Sequence, residues 1–168
     1  MAGEPIAVST RAKLLAAHRK LLAHSATRGT PLYAATFLRQ RKIVLEAGLF
    51  EEPCLARLIL THELFHFVWV RLANAARHQF SHVIADEIRS RARGEIGESA
   101  GVRKELTMAA ACRLQGRMWR DYVCESFCDT AAWLYAGVED HQSFQLANRW
   151  RRGRATWFRH AFSGLWSC

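Results

Sequence analysis

Thr61-His62-Glu63-Leu64-Phe65-His66 interrupts a long run of apolar residues with two histidines and a glutamate. Around it, Leu55, Leu58, Ile59, Phe65, Trp69 and Leu72 recur every three or four residues, which predicts a largely buried helix from Pro53 to about Ala73. Glu51-Glu52-Pro53 suits the opening of that helix, with acids at its positive end and proline in the first turn, and Asn74 suits its end. On a helix His62 and His66 lie one turn apart on the same face, the placement two imidazoles need to hold one zinc ion. Glu63 is one residue round from His62, close enough to act on a metal-activated water without being a ligand. Burying this helix requires partners for the ring nitrogens, and a metal would both satisfy and orient them.

A third ligand must come from elsewhere. Trp119 to about Tyr135 reads as a second helix, stopped by Gly137. It carries Glu125 and Asp129 four residues apart, in the apolar company of Phe127, Ala131, Ala132 and Trp133. Like charges one turn apart are unfavourable unless a cation is near. Glu125 is therefore the candidate third ligand, and Asp129 the acceptor that holds a ligand histidine by its other nitrogen. Cys124 and Cys128 share a face beside Glu125; they read as small interior residues, with a soft structural site including Cys112 as the alternative.

Before the first motif, Ser9 or Thr10 can cap a helix reaching about Ser25, with Leu14, Leu15, Leu21 and Leu22 as its apolar stripe. His18 and His24 on that stretch have no partner at ligand spacing and read as surface residues. Gly29 and Pro31 break it. Tyr33–Phe37 and Arg41–Glu46 then read as strands of a small sheet turning near Arg39-Gln40, with an edge that can hold an extended peptide.

Between the motifs, His78–Arg93 reads as a helix with Phe80, Val83, Ile84 and Ile88 inward. His78 and His82 are one turn apart on it, but lack the following glutamate and read as surface residues. Arg91–Gly101 reads as a glycine-containing loop or lid, and Glu105–Leu114 as a short helix. After Gly137, Glu139–Trp150 reads as a terminal helix. Arg149, Arg151, Arg152, Arg154 and Arg159 form the clearest basic patch, and Trp157, Phe158, Phe162, Leu165 and Trp166 give a largely aromatic, apolar tail.

The bulk numbers bound these readings. With 168 residues, 50% of them apolar and six Trp and nine Phe among them, the chain can bury a sizeable core. Residues 1–168 read as a single domain, with 149–168 a tail packed on it or extending from it. No apolar stretch is long enough for a membrane span. The five cysteines and the absence of a basic-then-apolar leader point to a cytoplasmic protein with reduced thiols. The net charge of +9 favours encounter with acidic surfaces.

His62-Glu63-Leu64-Phe65-His66 followed by Glu125-Ser126-Phe127-Cys128-Asp129 resembles the gluzincin-type zincin metallopeptidases, whose pattern is His-Glu-x-x-His and a later Glu-x-x-x-Asp. Over about residues 31–137 it looks most like the compact ImmA/IrrE-type domains. The resemblance implies an α+β, mostly helical domain with a small sheet before the metal-binding helix. It implies zinc on His62, His66 and Glu125, Glu63 as general base, Asp129 behind a ligand histidine, and hydrolysis of a peptide or protein substrate. Tyr135, Tyr122 and His141 are the candidates for a donor to the tetrahedral intermediate. Two rival readings remain. One is a zinc-stabilised binding domain that cleaves little or nothing. The other is a nucleic-acid-associated protein that meets phosphates through the Arg149–Arg159 cluster.

Overall fold

The computed structural model describes residues 4–17, 20–21, 29–109 and 114–163. Its first elements are strands. β1 (Ala7–Arg11), β2 (Leu15–Ala17), β3 (Lys20–Leu21) and β4 (Thr30–Pro31) precede β5 (Ala34–Phe37) and β6 (Lys42–Glu46). β6 is central in one sheet, parallel to β1 with Val8 opposite Ile43, and antiparallel to β5 with Thr36 opposite Ile43. β2 lies between β3 and β4 in a second, smaller sheet.

The helix expected from Ser9 or Thr10 to Ser25 is thus replaced, over its described part, by β1, β2 and β3. The physical reason is tertiary. β-branched Val8 and Thr10 find a partner strand in β6, and the adjacent Leu14 and Leu15 are both buried, as an extended chain allows when both its faces are covered. His18, Leu22, His24 and Ser25 lie outside the described residues. The turn near Arg39-Gln40 does form, as a single 3₁₀ turn over Leu38–Gln40 with Arg41 left-handed at φ 47°.

Residues 43–45 of β6 are all buried, and Ile43 and Leu45 pack with Leu49 and Phe67 against Leu55, Ile59 and Leu64. Most of those partners belong to α1 (Pro53–Arg71), which opens with proline in its first turn. Asn74 does not end α1; the chain turns through extended Leu72, and Asn74 begins α2 (Asn74–Arg89), earlier than the expected His78. α3 (Glu98–Ala109) takes up part of the expected loop and ends before the expected Leu114. α4 (Gly116–Tyr135) follows. The helix expected over Glu139–Trp150 begins instead at Asn148 and runs to Ala161 as α5. Gly137, at φ +65°, turns the chain away, and the backbone N–H groups of Gln145 and Leu146 donate to the Glu95 carbonyl at 2.8 and 2.9 Å.

α4 is the hub. It packs on α1 and α3, and also meets α2 and α5. Phe127 of α4 stacks on Phe158 of α5 at 4.9 Å and meets Phe80 of α2 edge-on at 5.6 Å. Burying such rings contributes roughly 1.5–3 kcal/mol each before entropy is set against it. The architecture is α+β and mostly helical, with the small sheet before the helix that bears His62 and His66. No described helix is long and apolar enough to cross a membrane.

Candidate metal centre

The packing of α1 on α4 decides which polar groups meet. His62 sits in the interface, 6% exposed, because it falls on the same face of α1 as Leu58. Its Nε2 lies 3.2 Å from Glu125 Oε2, and its Nδ1 lies 2.6 Å from Asp129 Oδ1. His66, one turn on, places Nε2 3.9 Å from the same Glu125 oxygen. Its Nδ1 faces sulfur, with Cys128 Sγ at 3.4 Å and Cys124 Sγ at 3.6 Å. The two rings meet edge-on at 4.9 Å.

Electrostatics match this geometry. Burial alone would lower the His62 pKa, but Asp129 and Glu125 outweigh it and raise it well above 6.5. Burial would likewise lower His66; Cys124 and Glu125 overcome it, against repulsion from His62. Burial would push Glu125 up, but His62, His66 and Arg103 hold it below the usual carboxylate range. The neighbouring Cys128 thiol and His66 draw Cys124 down to about 6 against burial, whereas burial and Cys124 push Cys128 up. A buried and a half-buried imidazole drawn toward protonation beside a carboxylate mark a place where a cation would be stabilised.

The donor chemistry fits a metal in two ways. Metal–nitrogen and metal–oxygen bonds of about 2.0–2.2 Å in a tetrahedron give donor–donor edges of about 3.4 Å. The His62–Glu125 and His66–Glu125 separations, 3.2 and 3.9 Å, bracket that edge. In addition, His62, His66 and Cys128 each place a donor atom within 4.8 Å of the others, so the buried cluster can chelate a metal with sulfur in the set.

Behind the donors stands a second layer. Asp129 accepts the Ala100 backbone N–H at 2.9 Å through Oδ2 while Oδ1 faces His62. A Cβ on Gly97 would lie 2.2 Å from Asp129 Cγ, so the missing side chain makes room for this carboxylate. The loop before α3 is anchored in turn. Lys104 Nζ donates to the Ala92 and Gly94 carbonyls at 2.9 Å each and lies 3.2 Å from Glu95. Glu95 also accepts from the Tyr122 hydroxyl and from Arg154 Nη2, the latter at 2.9 Å. Arg154 is fully buried and forks onto Glu87 at 2.6 and 2.9 Å. Burial would raise Glu95, but Arg154, Lys104 and Tyr122 hold it low; for Glu87, burial, with repulsion from Glu95, outweighs Arg154 and Lys104 and raises it.

In front of the donors lies a cleft of about 550 Å³, bordered by Tyr33, Ala34, Glu63, Glu125, Arg103 and His141 among others. Glu63 lines it, and its carbonyl lies 3.5 Å from Thr36 Oγ1 of β5.

Several candidates fall elsewhere. Tyr135 is 43% exposed and stacked on Phe65 at 5.5 Å, away from the cleft lining, because it continues the aromatic face of α4. Tyr122 is buried with its hydroxyl on Glu95. His141 does border the cleft, with Nδ1 2.8 Å from Ser143 Oγ. Arg154 is no part of an exposed basic patch; on α5 it lies one turn before buried Phe158, inside the core, while Arg149, Arg152 and Arg159 are exposed and Arg151 half-buried. His78 and His82 are exposed and join no metal-holding group among the described residues. Cys112, Leu165 and Trp166 lie outside those residues.

Gly97, Ala100, Glu87, Glu95 and Arg154 were not legible as site-supporting residues. A faint signal existed for two of them: Glu87 follows Ile84 by three and Arg154 precedes Phe158 by four, which puts both on apolar faces. Comparison with family models, curated proteins and solved structures finds no match to this chain.

Proposed function

We propose that this protein is a zinc-dependent hydrolase that cleaves peptide bonds in an extended segment lying in the cleft. The observation that carries the reading is the approach of His62 Nε2 and His66 Nε2 to one Glu125 oxygen, beside a cleft that Glu63 also lines. His62, His66 and Glu125 would hold the zinc, as gluzincin-type peptidases do. When bound, zinc supplies a Lewis acid that polarises a carbonyl and lowers the pKa of water. Glu63 takes the proton from the attacking water and delivers it to the leaving amine. Asp129 keeps the His62 ring oriented by accepting at Nδ1. β5 pairs with β6 on one side, and no other described strand pairs with it, so its free edge can bind substrate backbone. His141 is the donor candidate that borders the cleft.

The grouping of His62, His66 and Cys128 favours a second reading, a metal-stabilised domain without turnover. A thiolate in the coordination sphere would fill the position a substrate needs. One paired experiment separates the two: zinc content, zinc-edge X-ray absorption and cleavage of a mixed peptide pool, for wild type and Glu63→Gln. Hydrolysis predicts cleavage by the wild type that is lost in Glu63→Gln with zinc retained. Equal cleavage by both proteins overturns the hydrolytic reading, and a sulfur scatterer that His62→Ala removes, without cleavage by the wild type, supports the second.

A further inference from the structure

The His66 ring is addressed on both edges. Nε2 points toward Glu125, whereas Nδ1 has two sulfurs beside it, at 3.4 and 3.6 Å. A ligand histidine ordinarily turns its second nitrogen to a carboxylate, a carbonyl or water. His62 follows that rule through Asp129; His66 does not. For metal–sulfur and metal–nitrogen bonds of about 2.3 and 2.0–2.1 Å, the nitrogen–sulfur edge of a tetrahedron is about 3.6 Å. Both sulfurs therefore already stand at ligand separation from Nδ1.

We propose that His66 Nδ1, Cys124 Sγ and Cys128 Sγ form a second donor set, for a thiophilic divalent d¹⁰ cation of the zinc–cadmium class. α4 presents the thiols one turn apart on the face toward α1. Cys128 is fully buried and Cys124 half-buried, so the set is held rigidly yet reachable from one side. The charge balance selects a divalent ion. Two thiols release their protons to solvent on binding, and two thiolates with a neutral imidazole cancel a 2+ charge, leaving no net charge in the interior. Thiolate softness selects against magnesium and calcium. The site does not depend on the cleft being hydrolytic. One consequence does rest on that reading: a neutral imidazole has a single lone pair, so a cation on Nδ1 leaves the proton on Nε2 and withdraws His66 from the Glu125 side.

The experiment is a titration of the metal-free full-length chain, carrying Cys54→Ser, Cys112→Ser and Cys168→Ser, with Cd²⁺. The readout is the sulfur-to-cadmium charge-transfer absorption, which carboxylates and imidazoles do not produce. The proposal expects a saturable thiolate band at one ion per chain. The affinity reported by that band should fall at least roughly tenfold in Cys124→Ser and in Cys128→Ser and persist in Glu125→Gln. Should Cys128→Ser fail to fold, judged by circular dichroism, the half-buried Cys124→Ser decides. A band that is absent, insensitive to Cys124→Ser, or lost with Glu125→Gln overturns the proposal. Loss of peptide cleavage in Glu63→Gln is read separately and bears only on the cleft.

Discussion

Asp129 Oδ1 stands 2.6 Å from His62 Nδ1, and the same carboxylate accepts the Ala100 N–H through its other oxygen. One side chain thus ties the ring on α1 to the first turn of α3, and the consequences can be measured.

Asp129→Asn keeps the shape but weakens the acceptor behind His62. Metal affinity should drop roughly 10–100-fold with the fold retained. Competitive titration against a chromophoric zinc chelator, alongside circular dichroism, reads both; unchanged affinity would show that the contact does not orient the ring.

Gly97 and Gly101 lie four residues apart and should respond in opposite directions. Gly97→Ala drives a Cβ into the Asp129 carboxylate, at a cost of about 1–3 kcal/mol and with weakened metal binding. Gly101→Ala meets nothing within 4 Å inside α3 and should stabilise by about 0.5–1 kcal/mol. Urea unfolding of the two variants tests the pair.

Arg154 and Arg152 separate the buried from the exposed arginines. Arg154→Ala takes from buried Glu87 its ion-pair partner and from Glu95 one of its two cations, and should destabilise by about 3–5 kcal/mol. Arg152→Ala, on the exposed face, should fall within about 0.5 kcal/mol of wild type. A comparable loss in both would mean that the buried fork is not formed in solution.

The pH dependence of the metal-free protein follows from two opposite shifts. His62 has its folded pKa raised above 6.5, so its contribution is complete below 6.5 and lost as pH rises through the folded value. Glu125 has its folded pKa lowered below 4.5, so its contribution is present above 4.5 and lost as pH falls through the folded value. These two groups together favour the metal-free fold most between about pH 4.5 and 6.5. Zinc competes with the His62 proton, so the rise in Tm on adding zinc should grow with pH across neutrality. Thermal melts with and without zinc from pH 5 to 8 check this; a zinc-induced rise that shrinks with pH contradicts it.

Much was readable in the chain alone. Helical spacing put His62 with His66 on one face of α1, and Glu125 with Asp129 on one face of α4, because a 3.6-residue period leaves no choice once the helices form. The β5–β6 hairpin was readable from its β-branched run and turn. The N-terminal stretch was not: Leu14 and Leu15 suit either a helix or a strand, and only pairing with distant β6 makes the preceding Val8 and Thr10 extended. Which nitrogen faces carboxylate and which faces sulfur depends on how α1 and α4 cross. The same holds for Arg154: its burial depends on two glutamates that α2 and the following loop bring to it, and the helical period of α5 places it inward without naming its partners. Local periodicity decides the face a side chain occupies; only long-range packing decides what waits on the other side.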